Sequence, residues 1–162
     1  MRIRSRHRGP FFVLKLFLLT CYMSRKLYNC ACIQRPYIGA LSERIALPPS
    51  VEDVEALAGR RAIAFAKEIG LQEVIFEGDD EIIINSLSTD GKCMAHFGHL
   101  IEDSRQLAAS LRAFTFSHVK RKGNSVADKL AKLARESPFP RIWFNNIHSD
   151  ATNLVLFDRS FC

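Results

Sequence analysis

Three acidic residues stand where carboxylates from separate elements could converge on a metal ion: Glu55, Asp79 and Asp128. Glu55 lies in a segment of helical periodicity, Asp79 directly follows an apolar run of strand character, and Asp128 falls in the first turn of a later helical segment. Divalent magnesium asks for this kind of arrangement. A hard cation takes oxygen ligands, and two such ions can clamp the attacking and leaving oxygens of a phosphodiester. Each acid also has an ordinary structural explanation. Glu55 belongs to a helix-start cluster with Glu52 and Asp53, Asp79 and Asp80 can cap a short helix, and Ser125-x-x-Asp128 has the form of a capping box with Asp in place of Glu. Spacing alone therefore reaches an α/β domain with a candidate metal site.

The elements that must position these acids follow from the apolar pattern. Ala40–Leu47 (ALSERIAL) reads as a short strand closed by Pro48-Pro49, which cannot continue a ladder. After Ser50, the residues Val54, Leu57, Ala58, Ala62, Phe65, Ala66 and Ile69 form one helical stripe, which Gly70 ends as a C-cap. Glu73–Glu77 (EVIFE) has the composition of a buried strand, and Gly78-Asp79 turns into a short helix over Asp80–Leu87. Ser88–Lys92 is a loop, and Gly98–Leu111 is an amphipathic helix with Leu100, Ile101, Leu107, Ala108 and Leu111 inside. Ala113–Val119 alternates like a strand, Lys120–Asn124 is a loop, and Ser125–Arg135 is a helix carrying Val126, Leu130, Leu133 and Ala134. The order β-α-β-α-α-β-α predicts an α/β domain in which Glu73–Glu77 and Ala113–Val119 pair in parallel. Asp79 then sits at the carboxyl end of a strand, where open α/β sheets gather ligands.

Charge divides the chain unevenly. Residues 1–42 hold eight Lys/Arg and no acid, whereas residues 43–162 hold 15 basic and 17 acidic residues, a net of −2. The overall basicity thus belongs to the leading segment and says nothing about nucleic-acid binding by the body of the chain. Met1–Gly9 is Arg-rich and Phe11–Tyr22 is apolar apart from Lys15 and Thr20. This is the composition of a signal or transit peptide, without a clean small-x-small cleavage site, or of a truncated or altered start. The run is too short, and too interrupted by Lys15, for a transmembrane helix, so no membrane partner is expected beyond a targeting segment. Five cysteines (Cys21, Cys30, Cys32, Cys93, Cys162) form no CxxC pair and no disulfide framework, and a reduced, intracellular compartment is the expectation. Cys30 and Cys32 with His96 and His99 lack zinc-finger spacing and read as small thiols and two helix-surface histidines.

From about Gly39 to Asp158 the chain resembles the type 1 ribonuclease H domain of the plant, retroelement-like (reverse-transcriptase-like) kind. Val54-Glu55-Ala56-Leu57-Ala58 matches that family's helix with its E-A-x-A core, and Val74–Ile83 (VIFEGDDEII) matches its strand-then-Asp signature. His118–Ala131 (HVKRKGNSVADKLA) matches the block V-x-R-x-x-N-x-x-A-(D/H)-x-L-A, and Trp143 with Leu156-Phe157-Asp158 resembles the family's usual end. The resemblance implies a mixed sheet flanked by helices over residues 39–158, preceded by an atypical basic and apolar segment over 1–38. It also implies a Mg²⁺-dependent endonuclease that cuts the RNA strand of RNA–DNA hybrids. Glu55, Asp79 and Asp128 would be its catalytic, metal-ligating carboxylates, occupying the second, third and fourth of four positions. Lys120, Arg121, Lys122 and Asn124 would contact nucleic acid, with Lys129 and Lys132 nearby. The expected partner is an RNA–DNA hybrid or double-stranded RNA, and the expected state is a monomer.

The chain departs from that pattern at the family's first carboxylate, an Asp in a central strand that bridges both metals. No acid precedes Glu43, so no shift of register supplies it. The expectation is a first strand missing or replaced, with Phe11–Leu19 either filling its place or hanging free. The loop Lys120–Asn124 carries no His, and the stretch between Leu87 and Ala113 is too short for a basic protrusion. Two readings follow: a hybrid nuclease weakened by the loss of one ligand, and a non-catalytic nucleic-acid-binding or interaction module, or relic of a truncated gene.

Overall fold

A computed structural model of the chain describes residues 11–14, 18–20, 37–46, 48–121 and 139–144. The longest element is helix α1, Val51–Glu68, and its ends show why it forms where it does. The Ser50 side chain accepts a hydrogen bond from the Asp53 amide, Glu52 and Asp53 place negative charge in the first turn, and Lys67 places positive charge in the last. At the other end Gly70 adopts φ +78°, the left-handed conformation that a side chain disfavours. Gly70 N–H donates to Lys67 O and Leu71 N–H to Ala66 O, both at 2.9 Å, the paired bonds of a Schellman turn.

Strand β3, Tyr37–Ala46, is the hub of a four-stranded antiparallel sheet. Strand β1 (Phe11–Leu14) pairs with it from Phe11↔Ala46 to Leu14↔Glu43, and β2 (Leu18–Thr20) pairs from Leu18↔Ala40 to Thr20↔Tyr37 across a register shift. The apolar leading segment therefore joins the sheet at these residues instead of hanging free. Strand β6, Arg141–Phe144, pairs with β3 from Gly39↔Phe144 to Ser42↔Arg141. Four residues of mixed polarity carry no periodic signal, and the long-range ladder that defines β6 is not visible along the chain.

Strands β4 (Glu73–Gly78) and β5 (Ala113–His118) form the expected parallel pair, from Glu73↔Ala113 to Gly78↔His118. A parallel pair needs a crossover, supplied here by helices α2 (Glu81–Ser88) and α3 (Gly98–Ala108). Helix α3 stops three residues short of Leu111, which is nonetheless buried in the turn that follows. Strand β5 does not alternate between buried and exposed: Ala113, Phe114 and Thr115 are exposed, and Phe116 and Ser117 are half-buried. The final helix expected over Ser125–Arg135 lies outside the described residues.

Two clusters fill the interior. Leu41 of β3, Ala58, Ala62, Ile63, Phe65 and Ala66 of α1, Val74 and Phe76 of β4, and Ala108 and Leu111 make the larger. Ala56, Ile83, Leu87, Phe97 and Ile101 make the smaller, with Phe116 packed against both. The Phe76 and Phe116 rings stack across the parallel pair, with centroids 5.5 Å apart. No helix among the described residues is long and apolar enough to cross a membrane.

Two stability predictions follow. Deleting residues 1–22 strips β3 of both its β1 and β2 ladders. Thermal unfolding should shift down by about 4–8 °C, the equivalent of about 2 kcal/mol for a chain of this size. An unchanged midpoint would show that the pairing contributes nothing. Second, a β-carbon at Gly98 would sit 2.1 Å from the Cys93 carbonyl oxygen, whereas one at Gly59 would meet Leu87 Cδ1 at an ordinary 3.5 Å. Gly98→Ala should destabilise by about 1–3 kcal/mol as an overpacked site. Gly59→Ala, in a helix interior, should stabilise by about 0.5–1 kcal/mol, measured by urea unfolding.

Candidate metal and nucleic-acid site

Geometry removes the ordinary explanation for Asp79. The N-cap of α2 is Asp80, whose Oδ1 accepts from the Ile83 amide at 3.0 Å, so the cap is filled by the neighbour. Asp79 is half-buried in the bend between β4 and α2, directly beyond the carboxyl end of β4. The first turn of α1 takes its negative charge from Glu52 and Asp53. Glu55 stands one turn further on, half-buried, with its Oε1 atom shielded from solvent.

The fold brings the levels of Glu55 and Asp79 together. The chain reverses after α1, and α1 packs back along β4 through Ala62, Phe65, Val74 and Phe76. From Glu55 to Ile69 a helix rises about 21 Å, and from Glu73 to Asp79 a strand advances about 20 Å. Both acids thus belong to the same end of the α1–β4 layer. The packing agrees, since Ala56, next to Glu55, shares a cluster with Ile83 and Leu87 of α2.

Strand β5 delivers the basic residues to that same end. Gly78 is the register partner of His118, and Val119 N–H donates to Gly78 O at 2.9 Å. Asp79 is therefore the first residue off β4, and the exposed Lys120 and Arg121 are the second and third off its parallel neighbour β5. Asp128, Lys122, Asn124, Lys129 and Lys132 lie outside the described residues, as do Cys30 and Cys32. Among the described residues no group of three or more His, Cys, Asp or Glu side chains is placed to hold a metal ion. Glu55 and Asp79 supply oxygen donors of the kind Mg²⁺ takes, and a third acid would have to come from elsewhere.

Glu43, the first acid of the chain, does not fill that role. It lies in β3, and its Oε2 accepts from Arg61 Nε at 3.0 Å while Arg61 NH1 also bonds Glu68. Arg61 is six residues beyond Glu55, about 9 Å down the helix. Glu43 is thus tied off below the level of Glu55 and Asp79.

Sequence reasoning missed Asp53 and His96. Asp53 is buried at the start of α1, and His96, expected on a helix surface, sits in the turn before α3. Its Nε2 lies 2.9 Å from Ser50 Oγ and 3.6 Å from Asp53 Oδ1. A separation of 46 residues along the chain gave no signal for this contact.

Comparison with known proteins bears on this arrangement. A family model described as reverse transcriptase-like matches residues 37–134. The crystal structure of ribonuclease H1 from the halophilic archaeon Halobacterium salinarum NRC-1 has a similar fold, with a TM-score of 0.53 and 20% sequence identity. The likeness covers 60% of this chain and 83% of that one. No curated protein matches the chain.

The cap assignment can be checked directly. Asp80→Ala should lower stability by about 1 kcal/mol through loss of the α2 cap. Asp79→Asn should leave the cap intact, with the amide resonance of Ile83 unmoved. A shift of Ile83 in the Asp79 variant would reverse the assignment.

Proposed function

Since the chain belongs to the reverse transcriptase-like family, with the ribonuclease H-like fold, we propose that it binds RNA–DNA hybrids at the end of the sheet where Asp79 and Lys120–Arg121 emerge. The observation that carries this reading is the parallel register of β4 and β5, from which an acid and two exposed bases follow at the same sheet end. Lys120 and Arg121 would contact phosphates, with Lys122 and Asn124 continuing the strip. Such contacts are independent of sequence, and the hybrid would be told from DNA by its 2′-hydroxyls.

Glu55, Asp79 and Asp128 are the residues that would hold Mg²⁺, which when bound supplies an activated water and stabilises the leaving oxygen of a phosphodiester. The donor chemistry of Glu55 and Asp79 fits such an ion. Their part is to hold it close to the scissile phosphate, while the half-buried setting limits competing water. Residues 1–42 carry no acid, and Glu43 is paired to Arg61, so three carboxylates face a task that four perform in the family's pattern. Two divalent ions held close together repel strongly unless several negative oxygens offset them. Cleavage by this chain is accordingly expected to be very weak. The second reading, a non-catalytic nucleic-acid-binding module, rests on the same missing acid.

One assay separates the two. A labelled RNA–DNA hybrid is incubated with the chain and with Asp79→Asn in Mg²⁺ and in Mn²⁺. Weak cleavage, stronger in Mn²⁺ and lost in the variant, is the expected outcome for a weakened nuclease. Equal background in both would leave the binding module, and robust cleavage in Mg²⁺ would show that the family's first carboxylate is dispensable. Binding itself should fall by about tenfold between 50 and 200 mM salt if two phosphates are contacted. Lys120→Ala with Arg121→Ala should flatten that slope. Binding that is absent or insensitive to salt would defeat both readings.

A further inference from the structure

Ser50, Asp53 and His96 meet at the start of α1, and their hydrogen bonds form one self-consistent set. Ser50 Oγ accepts from the Asp53 amide at 3.0 Å and donates its single proton to Asp53 Oδ2 at 3.0 Å. The remaining lone pair of the hydroxyl faces His96 Nε2 at 2.9 Å, so Nε2 must carry hydrogen and donate. A Ser–His–Asp grouping wired this way is no nucleophile. The serine proton already belongs to the carboxylate, and the imidazole nitrogen facing the hydroxyl has no free lone pair to act as a base. It is a clasp.

What the clasp joins is the loop before α3 and the capped turn of α1. The loop is itself held from beneath. The Arg105 guanidinium donates to the carbonyls of Ser86, Thr89 and Gly91, and Cys93 N–H donates to Glu102 Oε1 at 3.2 Å. The Cys93 carbonyl is pressed against Gly98 so closely that a β-carbon has no room there. The His96 ring meets Phe97 edge-on, with centroids 5.1 Å apart, and Phe97 is buried in the cluster that contains Ala56. Two consecutive residues thus bear on α1 on either side of Glu55: His96 at the cap and Phe97 through the cluster that holds Ala56.

We propose that His96 is a positioning residue, which by donating Nε2–H to the Ser50 hydroxyl locks the first turn of α1 onto the loop before α3 and so fixes the stretch of helix that carries Glu55. The part of this concerning Glu55 rests on the metal-binding reading above; the clasp itself does not. Helix ends fray, and an acid five residues from an unrestrained cap would wander with it.

The test uses the full chain with His96→Ala and His96→Gln, the latter keeping an N–H donor on a side chain of comparable reach. Hydrogen exchange at the Asp53, Val54 and Glu55 amides should quicken about fivefold in His96→Ala, the scale of one exposed hydrogen bond, and return toward wild type in His96→Gln. Mn²⁺ affinity, followed by paramagnetic broadening, should weaken about threefold in His96→Ala and recover in His96→Gln. Unchanged exchange in His96→Ala would overturn the clasp. So would quickened exchange that His96→Gln fails to restore, since ring packing on Phe97 would then be the cause. Quickened and restored exchange with constant Mn²⁺ affinity would overturn the link to Glu55. If wild type binds no Mn²⁺, the metal reading fails and the link to Glu55 with it, while the exchange data still decide the clasp.

Discussion

The burial of α1 is the constraint from which the rest of the structure follows. Its Ala-rich inner face, Ala58, Ala62 and Ala66, lets a helix lie close against strands and other helices without large side chains holding them apart. Leu41 of β3 and Val74 and Phe76 of β4 meet in one cluster with that face, so the antiparallel and parallel pieces of sheet share a core through the helix. A substitution that widened this face would loosen both. It would also move Glu55 relative to Asp79, because the level of one against the other is set by how α1 returns along β4.

Much of this was legible in the sequence. The stripe from Val54 to Ile69, the Ser50 cap and the Gly70 stop located α1 to within a residue or two, because each is a local signal. The parallel pairing of Glu73–Gly78 with Ala113–His118 followed from the intervening helices alone. Strand β6 was not legible, since a short segment becomes a strand only by finding β3 across the molecule. The leading segment was readable only as two alternatives, and pairing with β3 decides between them at Phe11–Leu14 and Leu18–Thr20.

Within the candidate site the same division holds. Asp79 was singled out by its place after a strand, but only the bond from the Ile83 amide marks Asp80 as the true cap. Asp53 and Glu55 looked interchangeable as helix-start acids. Helical phase separates them: Asp53 turns to Ser50 and His96, and Glu55, two residues on, lies roughly 200° round the helix. The resemblance to ribonuclease H supplied roles for residues whose types and spacing alone stop at a candidate metal site.

Strand β3 holds segments from both flanks of the domain: β1 and β2, which precede it, and β6, which comes after β5. All three run antiparallel to it. Tension applied by pulling the leading segment away from β6 would converge on that one strand. Whether its ladders yield together in shear or one bond at a time in peeling would depend on the direction of pull. β3 is then the mechanical keel of these ladders, none of which includes β4 or β5, the two strands from which Asp79 and Lys120–Arg121 follow, so a load on the chain would reach β3 before it reached that pair.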